Sequence, residues 1–113
     1  MARSNQLVSA DDIGLPRNAV ADLRATLQAE PRIERAILYG SRAKGNYRLG
    51  SDLDLCLVAP DIHLADLWAL DERIDDLLLP WKVDLQLRHL IDNPDLLAHI
   101  ERVGRIFYAG KSE

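Results

Sequence analysis

Apolar residues recur along the chain at two spacings, and these spacings predict the secondary structure. Residues 16–29 repeat apolar positions at helical spacing, and Pro16 suits the first turn of a helix. Residues 33–39 and 53–58 form short apolar runs that predict buried strands. Residues 1–8 follow neither spacing, so we expect a loose, polar start to the chain.

The second half of the chain continues this alternation of elements. Asp61 is a candidate cap for a helix that reaches residue 79, and residues 82–87 alternate apolar and polar side chains as a half-buried strand does. A last helix over residues 93–103 and a short strand over 105–108 complete the pattern. This order predicts an α/β (α+β) fold, in which a small mixed β-sheet is flanked by helices. The unit from 53 to 87 is long enough for a parallel crossover.

Composition restricts the class of protein. A chain of 113 residues with 48% hydrophobic and 28% charged residues is expected to form a single domain over residues 1–113. The net charge of −4 argues against direct nucleic-acid binding through a broad basic surface. With one cysteine and no apolar run approaching the roughly 20 residues of a membrane span, we expect a cytoplasmic protein.

A glycine–serine pair after the first predicted strand is the first element of candidate chemistry. Gly40 lacks a side chain and would let a phosphate approach the backbone, and Ser41 offers a hydroxyl at the start of a short helix. Arg42 and Lys44 add positive charge on the same turn. These four residues therefore form the predicted nucleotide-binding set, with Arg42 and Lys44 as candidate phosphate contacts.

Three aspartates form the predicted metal-binding and catalytic set. Asp52 and Asp54 are two residues apart at the start of a strand, so they point to one face with α-carbons about 6.6 Å apart. Asp84 lies on the polar side of the later alternating strand and joins them if the two strands are neighbours. Unpaired carboxylates on one face repel each other, whereas Mg²⁺ prefers such hard oxygen ligands. Three acids are enough for two Mg²⁺ ions, the arrangement used for in-line phosphoryl or nucleotidyl transfer.

The spacing of these residues resembles a known family. Gly40-Ser41, ten further residues and then Asp52-Leu53-Asp54 match the motif of the DNA polymerase beta-like nucleotidyltransferase superfamily. Because the chain is short, it is most similar to the minimal nucleotidyltransferases, which include the antitoxin halves of HEPN/MNT toxin–antitoxin pairs. The likeness covers about residues 16–110 and implies the polymerase beta-like fold, Mg²⁺ as cofactor and ATP as the nucleotide donor.

For the antitoxins, the resemblance also implies a partner and an acceptor. It implies transfer of AMP to a hydroxyl of a cognate HEPN toxin, typically a tyrosine, which silences the ribonuclease activity of that toxin. A hetero-oligomer with the toxin is then the expected assembly. Two other functions stay open: a binding module that neutralises its partner by covering it, and the catalytic subunit of a small-molecule nucleotidyltransferase. Exposed apolar side chains around residues 64–79 or 96–103 would supply the covering surface.

The other chemically active side chains have structural interpretations. Cys56 lies among apolar residues and is expected to be a small buried hydrophobe. Trp68 and Trp81 are expected to be core or partner-facing anchors. The acids between residues 71 and 76 are expected to form a solvated helix face, with contact to a basic partner as the alternative. The histidines share no spacing typical of a metal site, and surface positions are expected for all of them: His63, His89 and His99.

Overall fold

A computed structural model describes residues 6–110, and within this range four strands form one mixed sheet that four α-helices accompany. The predicted α/β class is confirmed. The helices are α1 (Arg17–Gln28), α2 (Ser41–Lys44), α3 (Leu64–Asp75) and α4 (Pro94–Val103). The strands are β1 (Arg35–Tyr39), β2 (Leu53–Val58), β3 (Val83–Leu87) and β4 (Arg105–Ala109).

The strand order in the sheet is β3-β2-β1-β4. β1 runs antiparallel to both β2 and β4, whereas β2 and β3 are parallel because α3 returns the chain to the same end of the sheet. The predicted parallel crossover is therefore present, and it makes β2 and β3 neighbours. This pairing decides the site, since the predicted acids lie on these two strands.

The two faces of the sheet bury different parts of the chain. Leu53, Leu55 and Leu57 of β2 are fully buried in the main core, which α1 and α3 also fill. Strand alternation turns the residues between them to the other face, where α4 packs. There Cys56 lies in a smaller cluster with Tyr39 and Ile100. Cys56 is buried, as predicted, and the acid-bearing face of the sheet is the face that α4 partly covers.

α3 differs from its predicted bounds at both ends. The predicted helix begins after Asp61 and reaches residue 79, whereas α3 spans Leu64–Asp75. The N-cap is His63, whose backbone N–H donates to the Asp66 carboxylate over 3.0 Å, so Asp61 is not the cap. At the other end Leu78 adopts the left-handed region with φ 55°, a conformation that no continuing α-helix contains.

Leu7 and Val8 are more ordered than the pattern predicts. Residues 1–5 lie outside the described range, so that part of the predicted loose start is not addressed. Leu7, however, forms a parallel bridge with Ile106, and the Val8 N–H donates to the Ile106 carbonyl over 2.8 Å. Val8 is buried in the main core. Nothing among residues 6–110 is a helix both long enough and apolar enough to cross a membrane.

Candidate active site

The β2–β3 pairing places two of the predicted acids side by side. Asp54 and Asp84 are register partners in the parallel ladder, so their backbones are separated only by the spacing of adjacent strands, about 4.8 Å. Both side chains are half-buried on the α4 face of the sheet. Asp52 lies just before β2 and is exposed. The structure thus brings Asp84, distant in sequence, next to Asp54.

The electrostatics of this site favour a bound cation. Burial raises the pKa of Asp54, and the carboxylates of Asp84 and Asp52 raise it further. No ion pair within the described part of the chain involves any of these three acids. A cation bound beside Asp54 would therefore relieve the repulsion among these carboxylates.

The possible metal ligands of this site are its carboxylates. Among residues 6–110, no three His, Cys, Asp or Glu side chains stand close enough together to hold one metal ion. The two-ion arrangement expected from the sequence therefore stays a prediction. The available donors are carboxylate oxygens that lack a cationic partner, which is the chemistry that Mg²⁺ favours. The register partners Asp54 and Asp84 fit such an ion.

Gly40 forms the wall of the site beside Asp54. Tyr39, the last residue of β1, is the register partner of Asp54, and Gly40 follows with φ 78° and ψ −158°. A Cβ atom at Gly40 would collide with Oδ2 of Asp54. Ser41 then begins α2, whose first hydrogen bond runs from the Lys44 N–H to the Gly40 carbonyl. The glycine thus lets the start of α2 lie directly against the acidic pair.

Replacing Gly40 with alanine is therefore expected to damage both the site and the fold. The positive φ and the collision with Asp54 should together lower the free energy of unfolding by about 1–2 kcal/mol. Gly45 is a matched control, because it also has a positive φ but a Cβ there meets nothing within 4 Å. Urea unfolding and transfer assays on both variants check this. Equal transfer rates for Gly40→Ala and Gly45→Ala would contradict the assigned role of Gly40.

Arg42 lies elsewhere than the predicted phosphate contact. Its side chain is buried, with 1% exposure. Nη1 donates to the Ile13 carbonyl over 2.7 Å and Nε donates to the Ser51 carbonyl over 3.1 Å. The guanidinium also lies 5.0 Å and 5.8 Å from the ring centroids of Tyr47 and Trp81. Arg42 is therefore committed to holding the loop before β2, which corrects its assignment as a phosphate ligand.

Lys44 remains available for the predicted role, since it is exposed at the end of α2. The positive charge that the sequence assigned to two residues of this turn thus reaches the surface at Lys44.

Two residues of the site were not assigned to it from the sequence. Tyr39 is buried, and its pKa is raised by burial and then by the charges of Asp54 and Asp84. His99 of α4 presents its ring edge-on to Tyr39, with centroids 6.2 Å apart, and weakly lowers the pKa of Asp54. The position of Tyr39 directly before Gly40 is a signal that was available in the sequence. No such signal exists for His99, because its place depends on how α4 crosses the sheet.

Comparisons with known proteins agree on the fold. In a complex described as a toxin–antitoxin with AMP-PNP, a chain of 21% identity superimposes with a TM-score of 0.66, covering 80% of this chain and 73% of that one. A complex of tri-AMPylated Shewanella oneidensis HEPN toxin with MNT antitoxin matches at 18% identity and TM-score 0.62, over 81% and 71% of the two chains. A candidate nucleotidyltransferase from Sulfolobus solfataricus matches at 20% identity with a TM-score of 0.56, covering 93% of this chain and 91% of that one. These identities establish similarity of fold.

The family follows from the sequence match. No protein with a curated description matches the chain. The family described as "Polymerase beta, Nucleotidyltransferase" matches residues 21–113, which is most of the chain and includes every residue of the acidic site. The chain therefore belongs to the polymerase beta nucleotidyltransferase family.

Proposed function

We propose that this protein is a Mg²⁺-dependent nucleotidyltransferase that transfers AMP from ATP to a hydroxyl of a cognate HEPN-type toxin, and so acts as an antitoxin. The observation that carries the proposal is the register of Asp54 and Asp84 beside Gly40, with no cation among residues 6–110 paired to either acid. Family membership supports the reaction class. The acceptor is suggested by fold neighbours that are toxin–antitoxin complexes, one of them carrying an AMPylated toxin.

The residues of the site have distinct roles in this reaction. Asp52, Asp54 and Asp84 would hold Mg²⁺, which shields the charge of the triphosphate and lowers the pKa of the attacking hydroxyl. Asp84 accepts the proton of that hydroxyl on a carboxylate oxygen. The hydroxyl and backbone N–H of Ser41 donate to the β- and γ-phosphates, and Gly40 gives the phosphates room to approach.

The chemical balance is that of a single displacement. The acceptor oxygen forms a bond to the α-phosphorus of ATP, and the bond from that phosphorus to the α,β-bridging oxygen breaks. The donated hydrogen bonds from Ser41 stabilise the negative charge that develops on the leaving pyrophosphate. Toxin carrying AMP and free pyrophosphate are the products.

Intact mass of the toxin tests the proposal. Incubation of purified protein with ATP, Mg²⁺ and its cognate toxin is expected to add mass to the toxin in steps of one AMP. Asp22→Asn serves as the control for charge loss, because Asp22 is exposed on α1, remote in the fold from the acidic pair. That variant should modify the toxin fully. If the mass of the toxin stays unchanged at high concentrations of all components, the toxin is not the acceptor. If the toxin gains GMP, CMP or UMP from GTP, CTP or UTP in place of AMP, the donor is not ATP.

A second function is favoured by one observation. α3 exposes Leu64 and Trp68, apolar side chains that no part of the described chain covers. Such a surface suits a module that neutralises a partner by binding it. If an Asp52→Asn protein that transfers no AMP still neutralises the toxin fully, covering is sufficient. Loss of neutralisation together with transfer would favour the catalytic explanation.

A further inference from the structure

One side of α3 carries large apolar side chains outside the core. Leu64 is 49% exposed and Trp68 is 64% exposed, and a spacing of four residues places them one above the other. The opposite side of the helix buries the residues that attach α3 to the sheet: Leu67, Leu70 and Ile74. The fold therefore does not need the Trp68 side chain, although its exposure to water is unfavourable.

The same side of α3 continues as an acidic stripe. Glu72 and Asp75 follow Trp68 by four and seven residues, so they lie in line with it, and both are exposed. No ion pair in the described range 6–110 uses either carboxylate. The basic Arg73 points away from this line because it is only one residue from Glu72. An apolar anchor thus adjoins free negative charge on one helix face, which we call the α3 face (Leu64, Trp68, Glu72 and Asp75).

We propose that the α3 face is the docking surface for a protein partner that presents an apolar socket bordered by basic side chains, and that the toxin of the proposed function is this partner. The inference rests on that function. Like charge excludes nucleic acid and anionic membranes as occupants of the acidic stripe. A ribonuclease, in contrast, must carry a basic surface that holds the phosphates of its RNA. Docking of the α3 face on that surface blocks RNA without any transfer of AMP.

The end of α3 lies beside the start of β3. Asp71 and Asp75 line a cavity of about 220 Å³ together with Trp81, Lys82 and Val83, the residue before Asp84. Burial raises the pKa of Asp71, and the charges of Asp75 and Asp84 raise it further.

Binding in the absence of catalysis tests the inference. Calorimetry would measure the affinity of the Asp54→Asn protein for purified toxin without ATP, alone and with Trp68→Ala added. The second variant is expected to weaken binding by roughly tenfold or more, because exposed tryptophans that become buried dominate interfaces. Leu90→Ala is the matched control, since Leu90 is 51% exposed outside α3. Alanine favours helices more than tryptophan, so the melting temperature of the Trp68 variant should not fall.

Reversing the charges of the α3 face gives a second, independent test of the docking surface. Glu72→Lys with Asp75→Lys is expected to slow association and to remove most of its dependence on salt, whereas Asp22→Lys on α1 should not. The Asp54→Asn protein should also inhibit RNA cleavage by the toxin at equimolar concentration, and its Trp68→Ala derivative should not.

Unchanged affinity and inhibition after Trp68→Ala or after the double reversal would overturn the α3 face as the docking surface. Binding of a single-stranded RNA oligonucleotide that Trp68→Ala abolishes would assign the face to nucleic acid and also overturn the inference. Neither result affects the proposed reaction. That reaction is measured separately, by the intact mass of toxin after incubation with a saturating concentration of this protein, ATP and Mg²⁺. A toxin that binds through the α3 face but never gains AMP would retain the docking surface and remove the reaction.

Discussion

Replacing Asp54 with asparagine is expected to lower the rate of nucleotide transfer by roughly a thousandfold or more, because the change removes a charged metal ligand from the centre of the site. Asp54 lies between the other two acids, because it is two residues after Asp52 in sequence and is the register partner of Asp84. An amide at this position keeps the shape of the side chain but not its charge. Single-turnover AMP incorporation at saturating ATP and Mg²⁺ measures the effect, and Asp22→Asn should retain the wild-type rate.

The same substitution is expected to stabilise the protein when Mg²⁺ is absent, by about 1 kcal/mol. Burial, then Asp84 and Asp52, raise the pKa of Asp54 above its unfolded value. Folding therefore favours the protonated form, and the stability that Asp54 contributes at low pH is lost as the pH rises through its folded pKa. Asparagine cannot ionise, so the Asp54→Asn protein avoids this loss at neutral pH.

With Mg²⁺ present, the wild-type protein should become more stable than the Asp54→Asn protein. The ion is expected to raise the melting temperature of the wild-type protein, since it binds the folded state, and to have little effect on Asp54→Asn. Scans with and without Mg²⁺ over a range of pH compare them. Full transfer by Asp54→Asn, or equal Mg²⁺ effects on both proteins, would contradict the assignment of this carboxylate to a metal site.

Local patterns in the sequence were sufficient to predict the frame of the site. The alternation in residues 82–87 separated Asp84 from the leucines beside it, and the length of the connection from β2 to β3 predicted a parallel crossover. Asp84 was expected to join Asp54 if the two strands were neighbours, and the register shows that they are. Such predictions succeed because strand period and crossover geometry depend on residues close in sequence.

The rest of the site depends on contacts that no local pattern encodes. Arg42 is charged and lies next to Ser41, so its sequence neighbourhood indicates a phosphate ligand. Its actual partners are Ile13 and Trp81, 29 residues before it and 39 after it. His99 reaches Tyr39 only because α4 packs across the sheet. For both residues the tertiary arrangement, and not the residue type, decides the role.

Arg42→Ala is expected to lower the free energy of unfolding by about 3 kcal/mol, the largest effect on stability that we predict. The change removes two hydrogen bonds from a charged donor and leaves the carbonyls of Ile13 and Ser51 without that partner. It also opens a gap between Tyr47 and Trp81, which the guanidinium occupies. Lysine should not restore the loss, because a single ammonium cannot lie flat between two rings and donate in two fixed directions.

Urea unfolding and ATP titration of the same variants separate a structural Arg42 from a phosphate-binding one. Arg48→Ala is the matched control, since Arg48 is exposed in the same loop and its loss should change stability by less than about 0.5 kcal/mol. Arg42→Ala is expected to weaken ATP binding only indirectly, through disorder in the loop before β2. If Arg42→Ala unfolded like the wild-type protein but bound ATP tenfold more weakly, the guanidinium would belong to the phosphates after all. The buried hydrogen bonds to Ile13 and Ser51 make the opposite result the expected one, because a guanidinium that is 1% exposed and already donates to two carbonyls presents almost no surface to a ligand.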